Sequence, residues 1–128
     1  MNPFIANRQL EYIAFKRLML NTQLEGLVHW YMAVDAFSGY VLFSSVERDD
    51  KPETVLKCIY LLTEKPEFLQ YADQSFTVVT EEFEDIFPRI NSILERVNGK
   101  VELNVAMTKE ITLPAVSHFA NYAKNITK

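Results

Sequence analysis

The sequence predicts a mixed α/β domain, one small sheet of about four strands packed by three helices in the order β-β-α-β-α-β-α. Three observations carry that prediction. Leu27 to Ala36 and Tyr40 to Val46 are runs of β-formers joined through Phe37-Ser38-Gly39, which reads as a hairpin. Val55, Ile59 and Leu62 recur at i, i+4 and i+7, the spacing of a helix with one buried stripe. Lys100 to Met107 alternates, with Val101, Leu103, Val105 and Met107 on one side, as a half-covered strand does.

The remaining elements follow in order. Arg8 to Leu20 fits neither period cleanly, and helix is favoured over strand. Residues 1–25 therefore read as an N-terminal extension of the domain formed by residues 26–128. Asp50 and Glu53 frame a capping box, with Pro52 in the first turn of the helix that follows. Pro66 ends that helix, and Phe68 to Asp73 (FLQYAD) is a short strand candidate. Thr80 reads as the N-cap of a second helix, whose face runs through Phe83, Ile86, Phe87, Ile90, Ile93, Leu94 and Val97. Pro88 should kink it, and Asn98-Gly99 should stop it. The last helix is expected from Thr112, with Pro114 in its first turn and Val116, Phe119, Ala120 and Ala123 inside. Strands separated by helices lie mostly parallel.

Composition narrows the function classes. The 128 residues carry a net charge of −4 with scattered bases, which argues against a general nucleic-acid binder. A lone cysteine, Cys58, excludes an internal disulfide or a thiolate metal cluster, and its place in the first helix suits a small buried hydrophobe. No signal-peptide pattern or run of about 20 apolar residues is present, so a cytoplasmic protein is expected.

No phosphate-cradling glycine loop or nucleophile elbow occurs. His29 and His118 stand alone, without metal-ligand spacing; chemistry at His118 would require it to face a pocket. Asp35 and Asp73 end the first strand and the FLQYAD segment. At neighbouring strand tips they could hold Mg²⁺; alternatively, Asp35 starts the hairpin turn and Asp73 makes a turn before Ser75. Glu81, Glu82, Glu84 and Asp85 read as a solvated first helical turn that complements the helix dipole.

Two family resemblances arise from these residues. GYVLFSSVERDDKPETVLKCIYLLTEKPEF, FLQYAD, VVTEEFEDIF and KVELNVAM with LPAVSHFANYA resemble, in order and spacing, the elements of STAS domains of the SpoIIAA-like group, over about residues 27–126. This resemblance implies a non-enzymatic regulatory domain without cofactor, metal or catalytic residues. It would bind a protein partner or small ligand, with a homodimer possible and no nucleic acid. In that group a serine in an Asp-Ser-Ser-Gly segment is phosphorylated; the matching place here reads Val79-Thr80-Glu81-Glu82, leaving Thr80, and nearby Ser75, as the hydroxyls to consider.

WYMAVDAFSGY followed by YADQSF resembles instead integrases and transposases of the RNase H-like fold. That fold performs two-metal strand transfer with three carboxylates. Its first acid precedes the AVDAFSGY-like strand, where this chain offers Asn21 and Thr22, and its third lies on the last helix. Residues 111–128 contain no acid, so this resemblance implies a degenerate relative with Asp35 and Asp73 as remnant metal-site acids. A three-strand antiparallel meander before the first helix distinguishes the second family from the first.

Overall fold

The computed structural model describes residues 6–70 and 73–126, with side chains placed as far as Phe68 and from Asp73 to His118. Three strands come first, β1 (Tyr12–Thr22), β2 (Gly26–Asp35) and β3 (Val41–Glu47). Helices α1 (Pro52–Thr63) and α2 (Pro66–Gln70) follow, then β4 (Phe76–Thr80), α3 (Phe87–Leu94), β5 (Gly99–Leu103) and α4 (Val105–Ile126). The five strands form one sheet in the order β3-β2-β1-β4-β5. β1 pairs antiparallel with β2, and β2 with β3, while β4 runs parallel to both β1 and β5.

The meander before α1 is therefore present. The helix favoured at Arg8–Leu20 is instead the central strand, and the boundary drawn at residue 25 falls in the β1–β2 turn. The physical reason is burial on both faces. Ile13, Ala14 and Phe15 are all at most 1% exposed, so the first half of β1 has no polar side to give a period of two.

Ile13 and Phe15 face one helical layer with Tyr31, Val78 and Val101, under Val55, Cys58, Ile59 and Leu62 of α1 and Ile90 and Leu94 of α3. The other face carries Ala14 and Val79 against Met107, and Trp30, Met32 and Val34 against Ile111, Ala115 and Val116 of α4. Each fully buried aliphatic side chain contributes roughly 1.5–3 kcal/mol. Burial pushes the Cys58 thiol up to about 12, which suits the inert, structural cysteine read from the sequence.

The hairpin of β2 and β3 and the buried stripe of α1 match the sequence reading closely. Other elements differ for local reasons. Pro52 does open α1, but its N-cap is Lys51; Asp49 Oδ1 instead accepts from Lys51 N (3.1 Å) and Thr54 Oγ1 (2.5 Å). Phe68 belongs to α2 rather than to a strand, and Tyr71 and Ala72 of the FLQYAD segment lie outside the described residues. Thr80 closes β4 instead of capping a helix. α3 begins only at Phe87, after a 3₁₀ turn, and its Pro88 sits in the first turn, where no backbone donor is needed, so it causes no kink.

β5 stops at Leu103, and Asn104 caps α4: its Oδ1 accepts from Met107 N at 3.0 Å. The last helix thus starts seven residues before Thr112, and Pro114 lies inside it. The side chains of Phe119, Ala120 and Ala123, expected on its inner face, lie outside those described. Among the described residues no helix is long and apolar enough to cross a membrane.

Candidate functional site

In open α/β sheets, ligands gather outside the carboxyl ends of the parallel strands, near the switch in strand order. Here the central parallel pair is β1 and β4, with the ladder running from Tyr12↔Thr77 to Phe15↔Thr80. One place further, the same register sets Lys16 opposite Glu81, and the next sets Arg17 opposite Glu82. Alternation sends the two pairs to opposite faces.

Both pairs form. The Lys16 ammonium bonds Glu81 Oε1 on the face of Ala14, under α4, with side chains 12% and 16% exposed. Arg17 donates through Nε and Nη2 to Glu82 Oε1 at 3.1 and 2.9 Å on the α1 face. Its Nη1 donates to His29 Nδ1 at 2.9 Å and lies 3.7 Å from Asp50 Oδ2. A guanidinium only donates, so Nδ1 is the acceptor and the ring proton sits on Nε2.

The chain leaves β4 abruptly here. Phe83 adopts φ 74°, a left-handed conformation that is unfavourable for a bulky residue, and its ring packs 6.1 Å from Phe15. That turn strands Glu81 and Glu82 at the strand end instead of carrying them into a helix. Nearby, Asn104 N donates to Thr80 O at 2.9 Å, tying the start of α4 to the same rim. Glu110, the sole acid in the α4 sequence, lies exposed one residue before Ile111, which packs on the Ala14 face.

The sequence candidates lie elsewhere or are inaccessible. Asp35 is 2% exposed and sits opposite Ile13, about 10 Å along the strand from the level of Lys16. Its Oδ1 accepts from Leu10 N at 3.0 Å, and its Oδ2 accepts from Ser38 N and Oγ at 3.2 and 2.7 Å. It organises the hairpin turn and holds Leu10, which has φ 58°. Asp73 is exposed in a turn before β4, and Ser75 accepts a bond from Arg8 at its carbonyl. Asp35 and Asp73 both belong to the amino ends of the parallel strands, so as remnant metal-site acids they are at the wrong end. Thr80 is 1% exposed within a strand and its Oγ1 has no partner, so no kinase reaches that hydroxyl in the folded chain. His118 is exposed on α4.

Sequence reasoning missed Lys16, Arg17 and the roles of Glu81 and Glu82. The available signal was a Lys-Arg pair following a buried run and a Glu-Glu pair following Val78-Val79-Thr80. Matching them required the β1–β4 register.

No protein-family model matches the sequence, and neither does any curated protein at a significant level. Solved structures do match. The catalytic domain of Mos1 mariner transposase aligns with a TM-score of 0.58 at 11% identity over 87% of this chain. The HTLV-2 integrase catalytic core domain, solved in complex with magnesium, aligns with a TM-score of 0.57 at 11% identity over 91% of this chain. A Mos1 catalytic domain with raltegravir and manganese gives 0.57. The fold is that of transposase and integrase catalytic domains. The chain spans 60% of the length of the Mos1 domain and 76% of the HTLV-2 domain.

These matches overturn the STAS/SpoIIAA-like reading and the regulatory role attached to it; the neighbours are RNase H-like. They also remove the ground for expecting a domain that catalyses nothing, since the structures it resembles are catalytic domains. The β-β-α-β-α-β-α order expected from the sequence has a hairpin before the first helix, and the extra central strand β1 turns that hairpin into a meander.

Two of the neighbours are described with magnesium or manganese. The residues present here do not fit a two-ion site. Such a site clusters carboxylates around ions roughly 4 Å apart. Glu81 and Glu82 point to opposite faces, each already bonded to a base, and among the described residues no three His, Cys, Asp or Glu side chains converge.

Proposed function

We propose that the chain is a degenerate core of the transposase and integrase type, whose inherited site is the rim at the carboxyl ends of β1 and β4. The observation that carries this reading is the sheet order β3-β2-β1-β4-β5 with its opening meander, in a fold that aligns with transposase and integrase catalytic domains. Fold alone does not specify function, so the rim supplies the second support. Glu81 at the end of β4 and Glu110 on the last helix are the remnant acids. Lys16 stands on the strand preceding the AVDAFSGY segment, where the first acid of the RNase H-like pattern belongs. The acidic balance of the chain, −4 overall, favours a protein component of a strand-processing assembly over bare nucleic acid as its direct partner.

The test is strand nicking of a supercoiled plasmid in manganese buffer. Lys16→Asp is expected to raise nicking by about tenfold over the native chain, equivalent to roughly 1.4 kcal/mol in barrier. Adding Glu81→Gln or Glu110→Gln should return it to the native level. Equal nicking by all four proteins, each folded by circular dichroism, would remove the reading.

A further inference from the structure

We infer that the Lys16 ammonium is the resident cation of the rim, filling by a covalently attached charge the place that a divalent ion would take, and that it keeps such ions out. The inference rests on the proposed transposase and integrase ancestry, but its physical basis is independent of any activity.

Glu81 is a carboxylate at the end of a parallel strand, most of its side chain removed from solvent. A largely buried carboxylate without a partner is costly, and a neighbouring positive charge offsets that cost. A side chain or a bound ion can supply it. The register of β1 against β4 supplies the first, because the strand position facing Glu81 is Lys16. Lysine suits this role, since its ammonium is a compact point charge at the end of a flexible stem. Strand alternation puts Ala14 and Leu18 on the same face as Lys16, whose head meets the carboxylate.

Arg17 repeats the device on the other face, where Glu82 is met by a planar donor that also engages His29. Two adjacent acids are thus matched by two adjacent bases, one pair per face. The Lys16–Glu81 pair is neutral by itself without any ion, while Arg17 is shared between Glu82 and Asp50. A divalent cation entering at Glu81 would have to displace the ammonium and lie beside it, a like-charge contact that opposes binding.

The test uses the full chain and manganese alone as probe, read by paramagnetic broadening of amide resonances. In the native protein, Thr80 to Phe83 should show no selective broadening up to millimolar manganese. In Lys16→Asp those signals should broaden saturably, with a dissociation constant in the range of roughly 0.1–1 mM, and Glu81→Gln in that background should abolish it. Lys16→Asn, which removes the charge while keeping an oxygen donor, should bind more weakly than Lys16→Asp. Saturable, Glu81-dependent binding in the native chain would overturn the inference. So would a folded Lys16→Asp or Lys16→Asn protein that gains none. Gained binding without gained nicking would sustain the inference and count against the ancestry reading.

Discussion

Replacing Asp35 by alanine is expected to destabilise the protein by about 3–4 kcal/mol, lowering its melting temperature by on the order of 10 °C. The carboxylate is buried and accepts three hydrogen bonds, two from Ser38 and one from the Leu10 amide. Bonds to a charged acceptor contribute about 1.5–3 kcal/mol each, less when shared. The substitution also orphans the Leu10 N–H, whose residue is 3% exposed, and removes a side-chain hold on a left-handed backbone. Asp35→Asn should lose less, because one carbonyl oxygen still reaches one donor. Manganese response should be unchanged in both. A loss of ion binding with unaltered stability would instead restore Asp35 as a metal-site acid. Denaturant titration of the two variants against the native chain measures the difference.

Gly99→Ala is expected to cost about 2 kcal/mol, with the sign decided by packing. Its backbone needs no glycine, because Asn98, at φ 70°, takes the left-handed position after α3. On backbone grounds alone, alanine should stabilise by about 0.4–1 kcal/mol. A Cβ at Gly99, however, would lie 2.3 Å from Phe76 Cζ and 2.7 Å from both Cε atoms. Phe76 is the cross-strand partner of Gly99 and is 4% exposed. Its ring packs against Phe68 at 5.0 Å between centroids, so swinging aside would disturb that contact. Overpacking of this kind costs about 1–3 kcal/mol and outweighs the entropic gain. Combining Gly99→Ala with Phe76→Leu should recover part of the loss, as expected of residues in direct contact. A stabilised Gly99→Ala would mean that the ring is free to move.

The parts of the fold legible in the sequence are those fixed by short-range signals. The β2–β3 hairpin shows its glycine and its β-rich flanks, and α1 shows its stripe and its leading proline. β1 was hidden because Ile13, Ala14 and Phe15 are buried on both faces and Lys16-Arg17 then interrupts the apolar run. The strand partners of these three residues lie 18–22 residues away on β2 and 65 residues away on β4. The β5–α4 junction was hidden for another reason: Val101, Leu103, Val105 and Met107 alternate through it, and only the cap made by Asn104 Oδ1 turns the second half into helix.

The site was less legible than the fold. Glu81 and Glu82 followed by an apolar stripe satisfy every local rule for a helix start. The left-handed Phe83 and the 3₁₀ turn after it keep them on the strand end instead. Their partners are 65 residues away in sequence. Asp35 misled in the opposite direction. It ends a strand, as a site acid would, yet that end faces the amino termini of β1 and β4.

The carboxyl rim of β1 and β4 is closed by its own bases. A crystal structure of the native chain grown in manganese, with anomalous scattering collected at the metal edge, can refute this. Lys16 should be bonded to Glu81 and Arg17 to Glu82, with no manganese signal at the rim. A manganese ion on Glu81 with the lysine turned away, or a sheet in which residues 12–22 do not lie beside β4, would contradict it.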